Sequence, residues 1–268
     1  MNMIDIKNLN FQYAQKLIFN NFNLEIKEGT FTTIIGLNGS GKSTLIRIIL
    51  GLFKYDGEIK IDGMILNDDN IKEIRKKIGV VFENPDNQFI AETVMDDIAF
   101  SLENLQLKSN NVKRKVGEIA NYIGISNLLY REPSTLSGGE KQLVALASAL
   151  VHEPKLLILD EALTMVDIKT RKQIYQILKE LHKNKKITII NVTHDMDELL
   201  YGDDIILIDN GNIILKGPKE EIFLEEKIFN KLNLELPFMV SLSLKLKYYG
   251  LVDRLIFDMN EMVDEIWK

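Results

Sequence analysis

Gly36-Leu37-Asn38-Gly39-Ser40-Gly41-Lys42-Ser43 constrains the fold of this chain more than any other segment. It fits the pattern G-x-x-x-x-G-K-[ST] and lies between a compact apolar run, Thr32-Thr33-Ile34-Ile35, and an apolar stretch from Thr44 to Leu52. That context predicts a buried strand delivering a loop, with a helix leaving it. Glycines allow the backbone to wrap closely around phosphate oxygens, and the exposed N–H groups and helix N-terminus add positive potential. Lys42 is placed to bridge the outer phosphates of a nucleoside triphosphate, and Ser43 to ligate Mg²⁺; Thr44 completes the phosphate-binding run.

A second segment supplies the acids that such a loop needs. Leu156-Leu157-Ile158-Leu159-Asp160-Glu161 reads as a buried strand ending in two carboxylates. Side chains alternate along a strand, so Asp160 and Glu161 point different ways and take different roles. In a phosphate-loop protein the first secures Mg²⁺ and the second orients the attacking water.

The rest of the chain predicts an α/β core with a helical insert. Strands are expected at Ile4 to Phe11 and Phe22 to Ile26, with a turn at Asn20-Asn21, then at Gly57 to Gly63 and at Ile78 to Phe82. From about Thr93 to Val151 the pattern is helical, which places a helical subdomain at about 90–151. Parallel-type strands return at Leu156 to Leu159 and Ile187 to Val192, separated by a helix from Lys169 to His182. A hairpin turns at Asn210-Gly211. After Gly217-Pro218 the composition changes, and Leu251, Leu255, Ile256, Met259, Met262, Val263, Ile266 and Trp267 fall at helical spacing. The expected boundary therefore separates residues 1–218 from a helical appendage at 219–268.

Composition narrows the chemistry. The absence of Cys excludes thiolate catalysis and a Cys-built metal site, and with only three His scattered along the chain any metal is expected to be held by oxygen ligands. The 33 basic residues against 39 acidic ones leave a net charge of -6, so no nucleic-acid partner is expected. No apolar run approaches the roughly 20 residues of a membrane span, and the amino terminus has no secretory pattern.

Leu136-Ser137-Gly138-Gly139-Glu140-Lys141-Gln142 precedes a long helix. Ser137 with Glu140 three residues later is a capping box, but Ser137, Gly138 and Gly139 also present a hydroxyl and backbone N–H groups at a helix N-terminus. That is a second phosphate-binding surface in one chain. A head-to-tail dimer uses both, the serine-glycine turn of one subunit closing over the nucleotide of the other. With these pieces in order over most of residues 3–217, the sequence resembles the ATP-binding cassette ATPases, whose signature reads Leu-Ser-Gly-Gly-Gln. The resemblance implies a RecA-like sheet with an antiparallel β subdomain, ATP and Mg²⁺ as ligands, and hydrolysis. It further implies that Tyr13 stacks on adenine, that Glu161 is the catalytic base, that Asp167 signals between the two sites, and that His194 contacts the γ-phosphate. Tyr13 also reads as an ordinary surface tyrosine at a strand end, and Asp167 as the cap of the next helix.

Two positions depart from the family pattern. Glu83 stands where a glutamine normally reaches Mg²⁺ and the attacking water, so a carboxylate replaces an amide near the triphosphate. Glu140 ends the signature in place of Gln, a milder change because the phosphate contacts are expected from Ser137 and the glycines. The Glu83 departure leaves open a nucleotide switch of low activity. A kinase does not account for the signature, Asp167 and His194 together. Cassette ATPases acting on DNA or ribosomes carry a coiled-coil insertion or tandem cassettes, which this chain lacks.

Asn84-Pro85-Asp86-Asn87-Gln88 and Asp96-Asp97-Ile98-Ala99-Phe100 resemble motifs of the energy-coupling factor transporter ATPases, as does Leu236-Pro237-Phe238 before a helical tail; Asp-Asn-Gln is more like the first of their two paralogues. That resemblance implies vitamin or cobalt and nickel uptake, a pairing appendage, and a partner ATPase identical or paralogous to this chain. It also implies a transmembrane coupling subunit and a substrate-binding membrane subunit, which would hold the chain at the cytoplasmic face of the membrane. Residues 83–104 hold six acids (Glu83, Asp86, Glu92, Asp96, Asp97 and Glu103) and no Lys or Arg. Asp86, Asp96 and Asp97 are the candidates for docking a basic partner helix, against the plainer reading of a solvated acidic face.

Overall fold

The computed structural model describes residues 1–103, 109–164, 166–185 and 187–267, with the side chains of 103, 109, 110 and 185 outside the description. Ten strands and ten helices are described. The strands are β1 (Asn2–Tyr13), β2 (Lys16–Lys27), β3 (Phe31–Ile35), β4 (Asp56–Ile61), β5 (Met64–Ile65), β6 (Ile78–Phe82), β7 (Leu156–Asp160), β8 (Thr188–Thr193), β9 (Asp204–Asp209) and β10 (Asn212–Pro218). The helices are α1 (Lys42–Ile49), α2 (Ile71–Arg75), α3 (Val94–Glu103), α4 (Ser109–Ile123), α5 (Gly138–Leu150), α6 (Ile168–Lys185), α7 (Lys219–Ile222), α8 (Glu226–Lys231), α9 (Phe238–Tyr248) and α10 (Met259–Ile266).

Two sheets organise the molecule. One is antiparallel, in the order β2-β1-β4-β5; the other runs β10-β9-β3-β8-β7-β6 and is parallel except for β10. β3, β7 and β8 are buried along their whole length, as strands covered on both faces must be. The register brings the functional segments together. Ile35 pairs with Thr193, Phe82 with Asp160, and Asp160 with Val192. The phosphate loop, Glu83, Glu161 and His194 therefore all emerge from one edge, the carboxyl ends of parallel strands, where α/β sheets bind their ligands.

The expected turn at Asn20-Asn21 is not there. The hairpin turns at Ala14-Gln15, and β2 runs through Asn20 and Asn21. Asn side chains make this possible, because the register shifts beside residues whose φ is positive, Asn8 and Asn21. Their N–H groups donate to Asn23 Oδ1 and Asn10 Oδ1 across the strands, so the irregular backbone stays paired.

The tail also differs from the single amphipathic helix expected from Leu251 onward. Only Met259–Ile266 is helical, because Asp258 accepts N–H bonds from Asn260 and Glu261 and starts the helix there. Val252, Leu255 and Ile256 are buried from an irregular segment, in which the Ile256 N–H donates to the buried Ser243 hydroxyl at 2.8 Å. Beyond Pro218 the chain packs back on the larger sheet, Phe223, Phe229, Val240 and Leu255 sharing a cluster with Ile35, Ile205 and Leu207. No helix among the described residues is long and apolar enough to cross a membrane.

Candidate nucleotide site

The phosphate loop leaves β3 and enters α1 with an exposed arch, Leu37-Asn38-Gly39, over buried Gly36, Ser40, Gly41 and Lys42. Gly36 is required by space, since a Cβ there would lie 2.1 Å from the Ile208 carbonyl oxygen. Gly41 is required by conformation, having φ of 107° at the helix cap. Inside the arch, Lys42 Nζ donates to the Gly36 carbonyl at 2.8 Å and the Leu37 carbonyl at 3.3 Å. Its third neighbour is Glu161 Oε1, at 3.6 Å. Burial pushes the Lys42 ammonium below its usual range, opposed by Glu161 and, more weakly, Asp160. The buried Ser40 hydroxyl has no hydrogen-bond partner among the described residues, which suits a loop built to receive an anion.

Asp160 and Glu161 separate as alternation demands. Asp160 Oδ1 accepts the Ser43 hydroxyl at 3.0 Å, and burial raises the Asp160 carboxyl above the usual range despite that bond. A hydroxyl and a carboxylate oxygen side by side are the hard donors that Mg²⁺ takes from a protein, the remainder coming from phosphate and water. Among the described residues no group of three or more His, Asp or Glu gathers as an all-protein cage. Glu161 has φ of 52°, and its N–H donates to the Val192 carbonyl at 2.9 Å. Its carboxylate then spans two partners, Lys42 through Oε1 and His194 Nδ1 through Oε2 at 3.1 Å. Glu83 is exposed just beyond β6, next to the Phe82–Asp160 register pair.

Lys42, Ser43, Asp160, Glu161 and His194 thus come together, whereas no described hydrogen bond or ion pair joins Tyr13, Ser137 or Asp167 to them. Tyr13 packs edge-on against Phe11 and Phe53 while 39% of its surface stays open. Ser137 caps α5 in a full capping box with Glu140, the Ser137 N–H and hydroxyl donating to Glu140 Oε2 at 2.9 and 3.0 Å. Those bonds hold the Glu140 carboxyl below its usual range. Ser137 and Gly138 are exposed, and no described hydrogen bond or ion pair joins them to the phosphate loop. Asp167 accepts N–H bonds from Lys169 and Thr170 and so caps α6. Its carboxylate also lies against Gly139, where a Cβ would sit 2.9 Å from Asp167 Oδ2.

The acidic segment requires one correction. Asp97 is buried, its Oδ1 accepting N–H bonds from Ile90 at 2.9 Å and Ala91 at 3.4 Å, so its carboxylate holds its own loop and does not stand on the surface as Asp86 and Asp96 do. Asp86 and Asp96 are exposed; Asp86 pairs with Lys141 and Asp96 with the Thr93 hydroxyl. The Glu103 side chain lies outside the described residues. The motifs name Gln88 and Gln142 without giving either a role of its own. Gln88 accepts the Phe82 N–H at 3.0 Å and Gln142 donates to the Phe82 carbonyl at 3.0 Å, which fixes the strand end before Glu83.

A parallel sheet whose strand ends converge a phosphate loop, a carboxylate pair and a histidine, beside an antiparallel sheet and a helical subdomain with a serine-glycine turn, defines an ATP-binding cassette. The family described as "ABC transporter" matches residues 19–164. The chain is 40% identical to the energy-coupling factor transporter ATP-binding protein EcfA of Pediococcus pentosaceus, over 99% of this chain and 96% of that one. It is 43% identical to EcfA1 of Ligilactobacillus salivarius, over 98% and 95%. Among solved structures it resembles cbiO1 of Clostridium perfringens, described as part of the ABC transporter complex cbiONQ, with 35% identity, a TM-score of 0.78, and coverage of 90% of this chain and 98% of that one. The cassette MJ0796, in a dimer bound to ADP and Pi, gives 31% identity, a TM-score of 0.73, and coverage of 81% and 99%. The chain belongs to the ATP-binding cassette family, within the ATPases of energy-coupling factor transporters, and hydrolyses ATP.

Proposed function

We propose that two cassettes, this chain and an identical or paralogous partner, close head to tail around ATP and thereby drive a transmembrane subunit in the uptake of a vitamin or of cobalt or nickel ions. One observation carries the reading: Ser137 and Gly138 are exposed at the start of α5 and no described hydrogen bond or ion pair joins them to their own phosphate loop, so the second phosphate surface faces outward, where a neighbour can reach it. The relatives support the subfamily by name.

In this reading Lys42 and the loop N–H groups neutralise phosphate charge, Tyr13 stacks on the base, and Ser43 with Asp160 would hold Mg²⁺, joined by Glu83 at the edge. The bound cation would screen the phosphates and lower the barrier to charge transfer onto the leaving group. Glu161 orients and polarises the attacking water, and His194, hydrogen-bonded to it, faces the γ-phosphate. Asp167, on the loop before α6 and against Gly139, is placed to register the other cassette. Asp86 and Asp96 attract a basic helix of the membrane partner, and the helical tail pairs the two ATPases, holding them to the cytoplasmic face of the membrane through the partner alone.

The test is Glu161→Gln. ATP binding is retained, turnover nearly stops, and gel filtration with ATP and Mg²⁺ finds a stable dimer of cassettes. Wild-type turnover in that variant removes Glu161 from its role, and a strictly monomeric chain under those conditions, alone and with its paralogue, removes the dimer.

A further inference from the structure

Arg171 stands one turn into α6, outside the phosphate site and with no role assigned above. Its Nη1 donates to Asp195 Oδ2 at 2.6 Å and its Nη2 to the Leu163 carbonyl at 3.0 Å. Both partners border the catalytic pair: Leu163 lies two residues after Glu161, and Asp195 directly follows His194. Asp195 is itself fastened, its N–H donating to Thr193 Oγ1 and its Oδ1 accepting the Asp197 N–H, each at 3.0 Å. The guanidinium therefore joins the loop after β7 to the loop after β8.

We infer that Arg171 is a positioning residue for ATP hydrolysis, holding the Glu161 and His194 loops at a fixed separation. Strand register sets where the two loops begin, through the Asp160–Val192 pair, but it does not extend past the sheet edge. Glu161 is moreover left-handed, with φ of 52°, a conformation that persists for a non-glycine residue only when its surroundings impose it. A planar guanidinium delivers two hydrogen bonds in fixed directions, which a lysine ammonium does not reproduce. Small losses of alignment between a base and its neighbour are costly, of order 10²-fold for about 1 Å. Asp167, one turn earlier on the same helix, caps α6 and touches the signature turn, so the helix that aligns the catalytic pair also starts at the loop facing the second cassette.

The inference rests on the reading that Glu161 and His194 serve hydrolysis, and the experiment separates the two. Arg171→Lys and Asp195→Asn are measured in the full chain with its partner ATPase for kcat, KM and equilibrium ATP affinity, with thermal melting as the folding control. Expected are an ATP Kd within about twofold of wild type and a kcat lowered roughly tenfold to hundredfold, with the double variant no worse than the stronger single. The ring ¹⁵N shifts of His194 should move in Arg171→Lys, because its bond to Glu161 is altered. A kcat within about twofold of wild type in both folded variants overturns the inference. So does a parallel loss of ATP binding and turnover, which makes Arg171 merely structural. Wild-type turnover in Glu161→Gln sinks the underlying reading instead, and the His194 shifts then still decide whether Arg171 sets the geometry of the pair.

Discussion

Glu161 Oε2 lies 3.1 Å from His194 Nδ1, and the two residues follow the ends of neighbouring parallel strands. A carboxylate hydrogen-bonded to an imidazole, with its second oxygen 3.6 Å from Lys42 Nζ, is restrained from both sides. The pair should behave as one unit in mutant kinetics. Replacing His194 by Ala is expected to lower kcat roughly 10²-fold while ATP affinity changes little, and adding Glu161→Gln should cost far less than the product of the singles. Steady-state kinetics of the three variants check this, and multiplicative losses would mean independent action.

The phosphate loop has a steric test as well. Gly36→Ala forces a methyl group against the Ile208 carbonyl oxygen, which a Cβ would approach to 2.1 Å. Backbone rather than a movable side chain is in the way, so the loop or β9 must shift. We expect a loss of about 1–3 kcal/mol in denaturant unfolding, together with weakened ATP binding. Gly39→Ala meets no neighbouring atom, but its φ of 82° imposes strain, so it should be the milder of the two.

Acid sensitivity is expected from His152. Burial holds its imidazole below the ordinary value of 6.5, with the Ile78 carbonyl opposing and Lys115 reinforcing the shift. The unfolded chain therefore binds a proton at this site more readily than the native one. Stability from this group is fully present above about pH 6.5 and declines as the pH falls from there through the lowered native value. Melting curves from pH 7.5 to pH 5 should show a fall that is shallower in His152→Gln; an unchanged profile would assign the loss to other groups.

Asp97 and Asp86 should separate folding from docking. Asp97→Ala leaves the Ile90 and Ala91 N–H groups without their buried acceptor and is expected to destabilise the chain by about 1–3 kcal/mol. Asp86→Lys exchanges a surface ion pair with Lys141 for a like-charge contact that solvent screens, and should stay within about 1 kcal/mol of wild type. If docking uses the surface acids, Asp86→Lys combined with Asp96→Lys abolishes co-purification with the membrane subunit while the melting temperature holds. Recovery of an intact complex would show that these acids are only a solvated face.

Much of this molecule is legible in its sequence. The glycine loop, the apolar run ending in Asp160-Glu161 and the serine-glycine turn announce themselves because phosphate chemistry demands particular residue types at adjacent positions. The strands that carry them, β3 and β7, are legible for a different reason, being short, buried apolar runs. Where local signals compete, the sequence misleads: Asn20-Asn21 has turn composition, yet cross-strand amide bonds keep it in β2. The apolar spacing after Leu251 has helical period, yet a buried hydroxyl and the Asp258 cap divide the segment.

What the sequence by itself determined is therefore the inventory: the loop, its acids, its histidine and the family they define, since each is a property of neighbouring residues. Only the tertiary structure decided how they are used. Parallel register brought Glu161 to His194 across 33 positions of chain, and burial turned Asp97 from a surface acid into a loop clamp. A helix one layer away placed Arg171 between two catalytic loops. Contacts between distant segments are set by how apolar faces pack and how strands align, and no local pattern in the chain specifies them.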